Sequence, residues 1–249
     1  MIVKAIKTRK FNPPKDNLED LLSAIKNLEE NSIVAVTSKV VSIAEGRCVP
    51  TSQISKDELA IEEADQYIPR EKSPGGMILT TIKNNMIIAS SGIDESNSGS
   101  YYTLWPKDPK ASAELIWKYL KKKFNIRNLG VIITDSRLVP LRRGVVGIAI
   151  AYFGFKPLKD YRNTKDLFGR EFKMETSNFP DSLATAAVLE MGEGSEQQPI
   201  AIISEIPKIE FIQSEYKAKS FNDSFEIPIE EDMFAPFLLS VEWKKGGEK

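Results

Sequence analysis

Two acidic segments attract attention because each one follows an apolar, strand-like run. Asp94 and Glu95 come after a run that contains two isoleucines, and Asp135, with Ser136 behind it, ends another apolar run. Carboxylates at strand ends suit metal binding, because the strand fixes their position while the loop leaves room for a substrate. If the two strands are neighbours, Asp94 and Asp135 would share or bridge Mg²⁺ ions. For either aspartate alone, the commoner role is to stabilise a turn.

Basic residues supply the other half of a phosphate site. Lys39 follows Thr37-Ser38 at the end of a β-branched run, and Arg142 lies a few residues beyond Asp135. A guanidinium group binds phosphate or carboxylate in a bidentate manner. Arg162 is of the same kind, but each of these residues taken alone is more often a surface charge.

A glycine-containing loop at 191–199 is a third candidate. It carries Gly192 and Gly194 together with Glu193 and Glu196. A glycine that ends a helix explains Gly192 fully, whereas the second glycine and the carboxylates also suit a loop that a ligand approaches closely. The sequence contains no GxxxxGK[ST] motif and no complete GxGxxG after a strand, which excludes a P-loop protein.

The composition narrows the chemistry further. The 249 residues include no histidine and one cysteine, so the usual zinc and copper ligand sets and the histidine-activated nucleophiles are excluded. Oxygen ligands favour Mg²⁺ or Mn²⁺, the ions that accompany phosphate groups. A formal net charge of -1 gives no general attraction to nucleic acid. There is no apolar run long enough for a membrane span or a secretory signal, and Cys48 cannot form an internal disulfide, so we expect a cytoplasmic protein that does not bind a membrane.

Interleaved strands and helices must position these residues. Strands are predicted at 1–7, at 32–42 with a polar corner at Thr37–Lys39, and at 129–136, 144–155 and 199–204, with a hairpin at 75–92 that turns at Asn84-Asn85. Helices are predicted at 17–30, 55–68, 108–124 and 180–194, the last one capped by Asp181 and ending near Gly192. The segment 233–243 is compatible with either helix or strand. The irregular order, with its hairpin, predicts a mixed-sheet α/β or α+β protein.

Taken together and in this order, six segments resemble the coenzyme F420-0:γ-glutamyl ligase family. They are Val36–Arg47, Ser91–Asn97, Trp105–Ala113, Val131–Ser136, Arg142–Arg170 and Asp181–Glu193. The resemblance implies a ligase domain at 1–204, which is either undivided or made of two subdomains. It also implies the family's own mixed α/β fold and an intertwined homodimer. Residues 205–249 are unmatched, and we expect them to pack on that domain as a C-terminal extension.

The resemblance also implies a reaction. Ligases of this family attach L-glutamate through its amine to a carboxylate on a cofactor, with GTP as co-substrate and two divalent ions, Mg²⁺ or Mn²⁺. The acceptor carboxylate attacks the γ-phosphate to give an acyl phosphate, and the amine of glutamate then displaces phosphate. Such a reaction depends on neutralising the charge of the transferred phosphoryl group and needs no histidine.

Matching the family's motifs assigns roles to individual residues. The implied metal ligands are Asp94, Asp135, Ser136 and Glu193. The implied nucleotide-binding residues are Ser38, Lys39, Asn97, Gly192 and Gly194. The residues implied to lie near the substrates are Asp160, Tyr161 and Arg162, and the implied catalytic residues are Asp94, Asp135 and Arg142.

The sequence departs from the family pattern at three places, and these departures leave alternatives open. Ile43 stands where the family usually has a lysine that contacts the nucleotide, so ATP is an alternative to GTP. The run after Asp135 lacks the usual glycine, arginine and tryptophan, and Asn163 replaces a glycine. The acceptor is therefore either the deazaflavin cofactor or, as in a related branch, a folate-type pterin. A non-catalytic nucleotide- or cofactor-binding protein and a structural protein are the alternatives from other classes.

Overall fold

The computed structural model describes residues 1–206, 208–218 and 224–247. In chain order the strands are β1 (Ile2–Ile6), β2 (Ser32–Thr37), β3 (Cys48–Pro50), β4 (Gln66–Ile68), β5 (Thr80–Lys83), β6 (Met86–Ala89), β7 (Tyr101–Thr103), β8 (Leu129–Leu138), β9 (Val145–Phe153), β10 (Leu158–Asp160), β11 (Thr176–Asn178), β12 (Ile200–Ser204) and β13 (Lys244–Lys245). The helices are α1 (Leu18–Leu22), α2 (Ser38–Ala44), α3 (Lys56–Glu63), α4 (Pro109–Phe124), α5 (Phe179–Met191) and α6 (Ala235–Leu238).

The main sheet has five strands in the order β1-β12-β2-β8-β9. β2 and β8 pair in parallel, and the other neighbouring pairs are antiparallel. Helix α4 covers one face of this sheet and α5 covers the other. The mixed α/β fold predicted from the sequence is confirmed, and none of the described helices is long and apolar enough to cross a membrane.

The alternation of side chains along β2 explains why both faces are covered. Val34 and Val36 pack in the cluster that includes α4, whereas Ile33 and Ala35 pack in the cluster that includes α5. A strand that is buried on both faces needs apolar residues at every position, which is why β2 lacks the polar alternation of a one-sided strand.

A smaller sheet, in the order β13-β4-β5-β6, lies beside the main one and has its own small core with α3. The predicted hairpin is confirmed: β5 and β6 pair, and Asn84 and Asn85 form the turn with φ of 49° and 59°. Asparagine tolerates this left-handed backbone better than other non-glycine residues do. The capping box predicted at Ser55 and Glu58 is also present.

Four local predictions were wrong. The helix predicted at 17–30 is limited to α1, because Ile25 and Leu28 reach the core from irregular backbone instead of from further helical turns. The residues beyond Thr37 form α2, since packing of Val40 and Val41 in the core outweighs their β-branched preference for a strand.

The third error is the helix predicted at 55–68. It ends at Glu63, and Gln66–Ile68 form strand β4.

The cap of α5 is the fourth of these errors. Asn178, and not Asp181, caps this helix, because the Asn178 side chain accepts a hydrogen bond from the Asp181 backbone N–H at 3.0 Å. The carboxylate of Asp181 instead accepts a hydrogen bond from the backbone N–H of Ala149 in β9, at 3.0 Å.

The C-terminal segment contacts both cores. Phe211 packs against the α5 side of the main sheet, and β13 adds to the edge of the small sheet. Residues 233–243, compatible with helix or strand in the sequence, contain the short helix α6. Positions 207, 219–223 and 248–249 of the predicted extension lie outside the described residues. The division at 204/205 stays a prediction.

Gly154 provides a test of the packing around α4. Its φ is +87°, and a Cβ there would overlap the Leu129 carbonyl and the Trp117 indole. We expect Gly154→Ala to lower the free energy of unfolding by about 3 kcal/mol, because backbone strain and overpacking add. Gly169→Ala is the matched control, with φ of +83° but open space around the new Cβ, and should cost about 1 kcal/mol. Urea unfolding of both variants measures the difference, and equal losses would contradict the overpacking argument.

Candidate active site

One large pocket opens at the end of β2 and β8, with a volume of about 630 Å³. Because these strands are parallel neighbours with Thr37 opposite Thr134, the residues that follow them emerge at the same edge of the sheet. Ligand sites in α/β proteins lie at this carboxyl edge. Of the residues that the sequence singled out, the following line the pocket: Ser38, Lys39, Ile43, Asp94, Asn97, Asp135, Ser136, Gly192, Glu193, Gly194 and Glu196.

Asp94 reaches the pocket through a turn with unusual backbone. Ser90, Ser91 and Gly92 have φ of 46°, 55° and 71° in succession. Such strain persists only when the surroundings hold it, and here the Ser91 hydroxyl is buried and donates to the Ala60 carbonyl at 2.6 Å. The acidic loop after β6 is therefore a constrained structure and not an ordinary solvated turn. The strands β6 and β8 belong to different sheets, so the two aspartates do not meet by way of neighbouring strands.

The carboxylate of Asp94 has a cationic partner. Lys39 Nζ lies 2.6 Å from Asp94 Oδ2, and the backbone N–H of Ser96 donates to Oδ1 at 2.7 Å. Burial raises the pKa of Asp94, but the charge of Lys39 and the hydrogen bonds from Lys39 and Ser96 outweigh burial and lower the pKa below its usual value. The charged carboxylate is thus the stable form.

Asp135 lies in the opposite electrostatic situation. Burial raises its pKa to about 6, against hydrogen bonds from the Trp105 indole and from the Ser136 backbone N–H at 2.8 Å. The negative charges of Asp94 and Glu193 raise the pKa further, since both carboxylates lie within electrostatic range of Asp135. A group whose charge is disfavoured by burial and by like charges is typical of a site that receives a cation.

The loop after α5 closes the pocket from the other side. The Ser136 hydroxyl donates to Glu193 Oε1 at 2.6 Å, and Asn97 Nδ2 donates to the Gly194 carbonyl at 3.0 Å. Gly192 has φ of +82°, and a Cβ there would come within 2.5 Å of the Glu196 carboxylate carbon. These contacts join three segments that are far apart in sequence.

The donors in this pocket fit a hard divalent ion. They are carboxylate and hydroxyl oxygens, although no group of three or more His, Cys, Asp or Glu within the described ranges is close enough to enclose a metal. Mg²⁺ is commonly bound through one or two carboxylates, with water and substrate phosphates completing the shell. Asp94, Asp135, Ser136 and Glu193 would hold Mg²⁺ or Mn²⁺ in this way.

Comparison with known proteins identifies the family to which this chain belongs. The sequence model of F420-0:γ-glutamyl ligase matches residues 5–205. The chain belongs to this family. It is therefore a ligase that forms an amide bond.

Relatives of the ligase span most of the chain. A protein named coenzyme F420:L-glutamate ligase from Methanopyrus kandleri is 33% identical over 226 residues, which covers 83% of this chain and 88% of the relative. Proteins of the same name from Methanocaldococcus jannaschii and Archaeoglobus fulgidus are 35% and 34% identical, covering 75% and 76% of this chain and 80% and 81% of the relatives.

Four residues assigned from the family motifs do not line the pocket of this ligase chain. Arg142 lies exposed in the turn between β8 and β9, where its guanidinium donates to the neighbouring Leu141 carbonyl at 3.1 Å. Asp160 and Arg162 pair with each other at 2.7 Å, with Tyr161 between them, in the segment that follows β9. Their roles near the substrates stay predictions.

The structure also brings residues to the pocket that sequence reasoning missed. Arg9, Lys10 and Arg137 line it and add positive charge, and Phe11 adds an aromatic wall. Arg137 directly follows Ser136, so its place in the sequence could have predicted its position at the pocket. Arg9 forms a salt bridge with Asp16 at 2.6 Å, which no local sequence pattern predicts.

Proposed function

We propose that this ligase attaches L-glutamate to the terminal carboxylate of coenzyme F420-0, with GTP as co-substrate and two Mg²⁺ or Mn²⁺ ions. The relatives at 33–35% identity carry the name coenzyme F420:L-glutamate ligase. The observation that carries the proposal is that Asp94, Asp135 and Glu193 meet in one pocket beside Lys39. This set of charges suits a triphosphate accompanied by divalent ions.

The chemistry follows two displacements. The acceptor carboxylate attacks the γ-phosphorus and the nucleoside diphosphate leaves, which gives an acyl phosphate. The amine of glutamate, after losing a proton, attacks the acyl carbon, and inorganic phosphate leaves as the amide forms. Divalent ions in the site supply charge neutralisation at the phosphoryl oxygens. Lys39 and Arg137 line the pocket and supply further positive charge. Asp94 and Asp135 would hold the ions.

The pocket also has an apolar side that suits a flat heterocycle. Phe11, Val40, Ile43 and Ile88 line it, and Ile43 is only 1% exposed. Ile43 therefore serves as part of the core and cannot replace the polar contact of the family's usual lysine. The nucleotide preference of this chain rests on other groups, which is why GTP and ATP are both tested.

Product mass tests the proposal directly. The purified chain is incubated with L-glutamate, Mg²⁺ or Mn²⁺, GTP or ATP, and either coenzyme F420-0 or a folate. A gain of one glutamyl group on coenzyme F420-0 supports the proposal. A gain on folate alone would replace the acceptor, and nucleotide binding without any product would favour a non-catalytic binding protein.

We also propose that the ligase acts as a homodimer. The β8–β9 turn exposes Leu141, which is 96% accessible, and the segment after β10 exposes Leu167 and Phe168 at 99% and 92%. Contiguous exposed apolar patches mark contact surfaces, and we assign these side chains to the contact between protomers. Arg142 lies beside Leu141, so a partner that covers this turn would also receive Arg142.

Mixing two inactive variants tests this arrangement. If Arg142 completes the pocket of the other protomer, Asp135→Asn and Arg142→Ala homodimers are each inactive, while mixed dimers regain one intact pocket. Random re-association of equal amounts should restore about a quarter of wild-type activity, because half of the dimers are mixed and each has one complete site. Light scattering checks the dimer, and a mixture that stays inactive after proven exchange would contradict action across the interface.

A further inference from the structure

Trp105 lies between the two loops that carry the pocket aspartates. It follows β7, its side chain is 1% exposed, and its indole N–H donates to Asp135 Oδ2. The same edge of the indole faces Gly92, where a Cβ would overlap Nε1. Gly92 is two residues before Asp94, so a single ring contacts both the Asp135 carboxylate and the turn that delivers Asp94.

A partly buried ionic network contacts both the ring and the backbone of Trp105. Lys83 Nζ lies 5.7 Å from the centroid of the Trp105 ring, and Arg47 Nε donates to the Trp105 carbonyl at 3.2 Å. Glu63 joins these two cations, with Lys83 at 2.6 Å and Arg47 at 2.7 Å. Both the ring and its backbone are therefore fixed by charged groups that do not line the pocket.

From these contacts we infer that Trp105 is a positioning residue, which sets the separation of Asp94 and Asp135 and the orientation of the Asp135 carboxylate toward a divalent ion. The inference rests on the proposed metal-dependent function. Hydrogen bonds to a ligating carboxylate fix which oxygen faces the ion, and their loss commonly weakens metal binding 10- to 100-fold. With Oδ2 held by the indole and Oδ1 by the Ser136 N–H, the carboxylate has a single orientation in this pocket.

A matched pair of tryptophan substitutions separates positioning from packing. Trp105→Phe keeps a buried aromatic ring and removes the N–H. Trp117→Phe does the same at a second buried indole, whose N–H donates to the Leu129 carbonyl at 2.7 Å outside the pocket. Both variants lose packing and one buried hydrogen bond, but only Trp105→Phe alters the group that contacts Asp135.

The readout is Mn²⁺ binding to the full-length chain, followed by the electron paramagnetic resonance of free Mn²⁺. We expect Trp105→Phe to bind Mn²⁺ about 10-fold more weakly or worse, and Trp117→Phe to match the wild type within about twofold. Equal Mn²⁺ binding by the wild type and Trp105→Phe would overturn the inference about Trp105 and leave the proposed metal site intact. A wild-type chain that binds no Mn²⁺ would overturn the metal site and the inference with it.

An independent measurement does not need the metal. The chain contains 3 tryptophans, so its ¹⁵N–¹H spectrum has few indole signals, and the one that disappears in Trp105→Phe belongs to Trp105. This signal should shift in Asp135→Asn, which weakens the acceptor from a carboxylate to an amide oxygen, while the Trp117 signal stays in place. An unmoved Trp105 signal would show that the indole does not bind Asp135 in solution.

Discussion

Replacing Asp135 with asparagine should lower the kcat of glutamate addition about 10³-fold or more, while the fold is retained. Asparagine has the same size, and its amide oxygen can still accept one of the two hydrogen bonds, from the Trp105 indole or from the Ser136 N–H, so packing at this position is largely preserved. What is lost is the negative charge that would hold the proposed ions, a contribution of several kcal/mol to a transition state rich in charge. Product mass over time gives kcat, and circular dichroism confirms the fold.

Glu190→Gln is the control for this substitution. Glu190 is an exposed carboxylate on α5, just before the Glu193 loop, and it does not line the pocket. Its loss should leave kcat within about twofold, as is usual for exposed surface positions. Turnover of Asp135→Asn at the rate of this control would remove Asp135 from the catalytic set.

Asp135→Asn should be more stable than the wild type at neutral pH when metal is absent. The pKa of Asp135 is raised from 3.8 to about 6, so the folded chain binds this proton more tightly than the unfolded chain does. Stability from this group therefore falls as pH rises from about 4 to about 6. Asparagine does not titrate, so the difference in Tm should be near zero at pH 4 and positive at pH 7. Thermal unfolding with a chelator measures it, and a constant difference would contradict the raised pKa.

Replacing Asp94 with asparagine should lower kcat about 10²- to 10³-fold, because Asp94, like Asp135, is a proposed ligand of the ions. Asp94 is the partner of Lys39 at 2.6 Å, so its loss removes a proposed metal ligand and leaves that ammonium group without its ion pair. The backbone hydrogen bond from Ser96 to Oδ1 can be kept by the asparagine oxygen, which preserves the turn.

The double variant distinguishes one shared site from two separate contributions. If Asp94 and Asp135 hold the same ions, the site is already lost in either single variant, and Asp94→Asn/Asp135→Asn should be little worse than Asp135→Asn alone. Multiplying losses would indicate that the two carboxylates act independently. The kcat values of the single and double variants, measured at saturating Mn²⁺, decide between these outcomes.

Local patterns predicted individual elements well where the chain's own chemistry decides them. The capping box at Ser55 and the Asn84-Asn85 turn are short-range arrangements, and the structure confirms both. Beyond Thr37 the local pattern failed, because burial of Val40 and Val41 against the sheet outweighs their intrinsic preference. The position of Arg9 at the pocket and the contact of Trp105 with Asp135 are equally invisible in a linear pattern.

The sequence by itself determined the class of chemistry and the family. A chain without histidine and with one cysteine must use carboxylate, hydroxyl, amide, lysine and arginine side chains for its chemistry. The order of its motifs identified the ligase family, whose sequence model matches residues 5–205. The tertiary structure alone decided that the Asp94, Asp135 and Glu193 segments meet in one pocket, and that Arg142 does not join them within a single chain. The physical reason is that the parallel pairing of β2 with β8 and the packing of Trp105 and of the loop after α5 are long-range contacts, which no local spacing encodes.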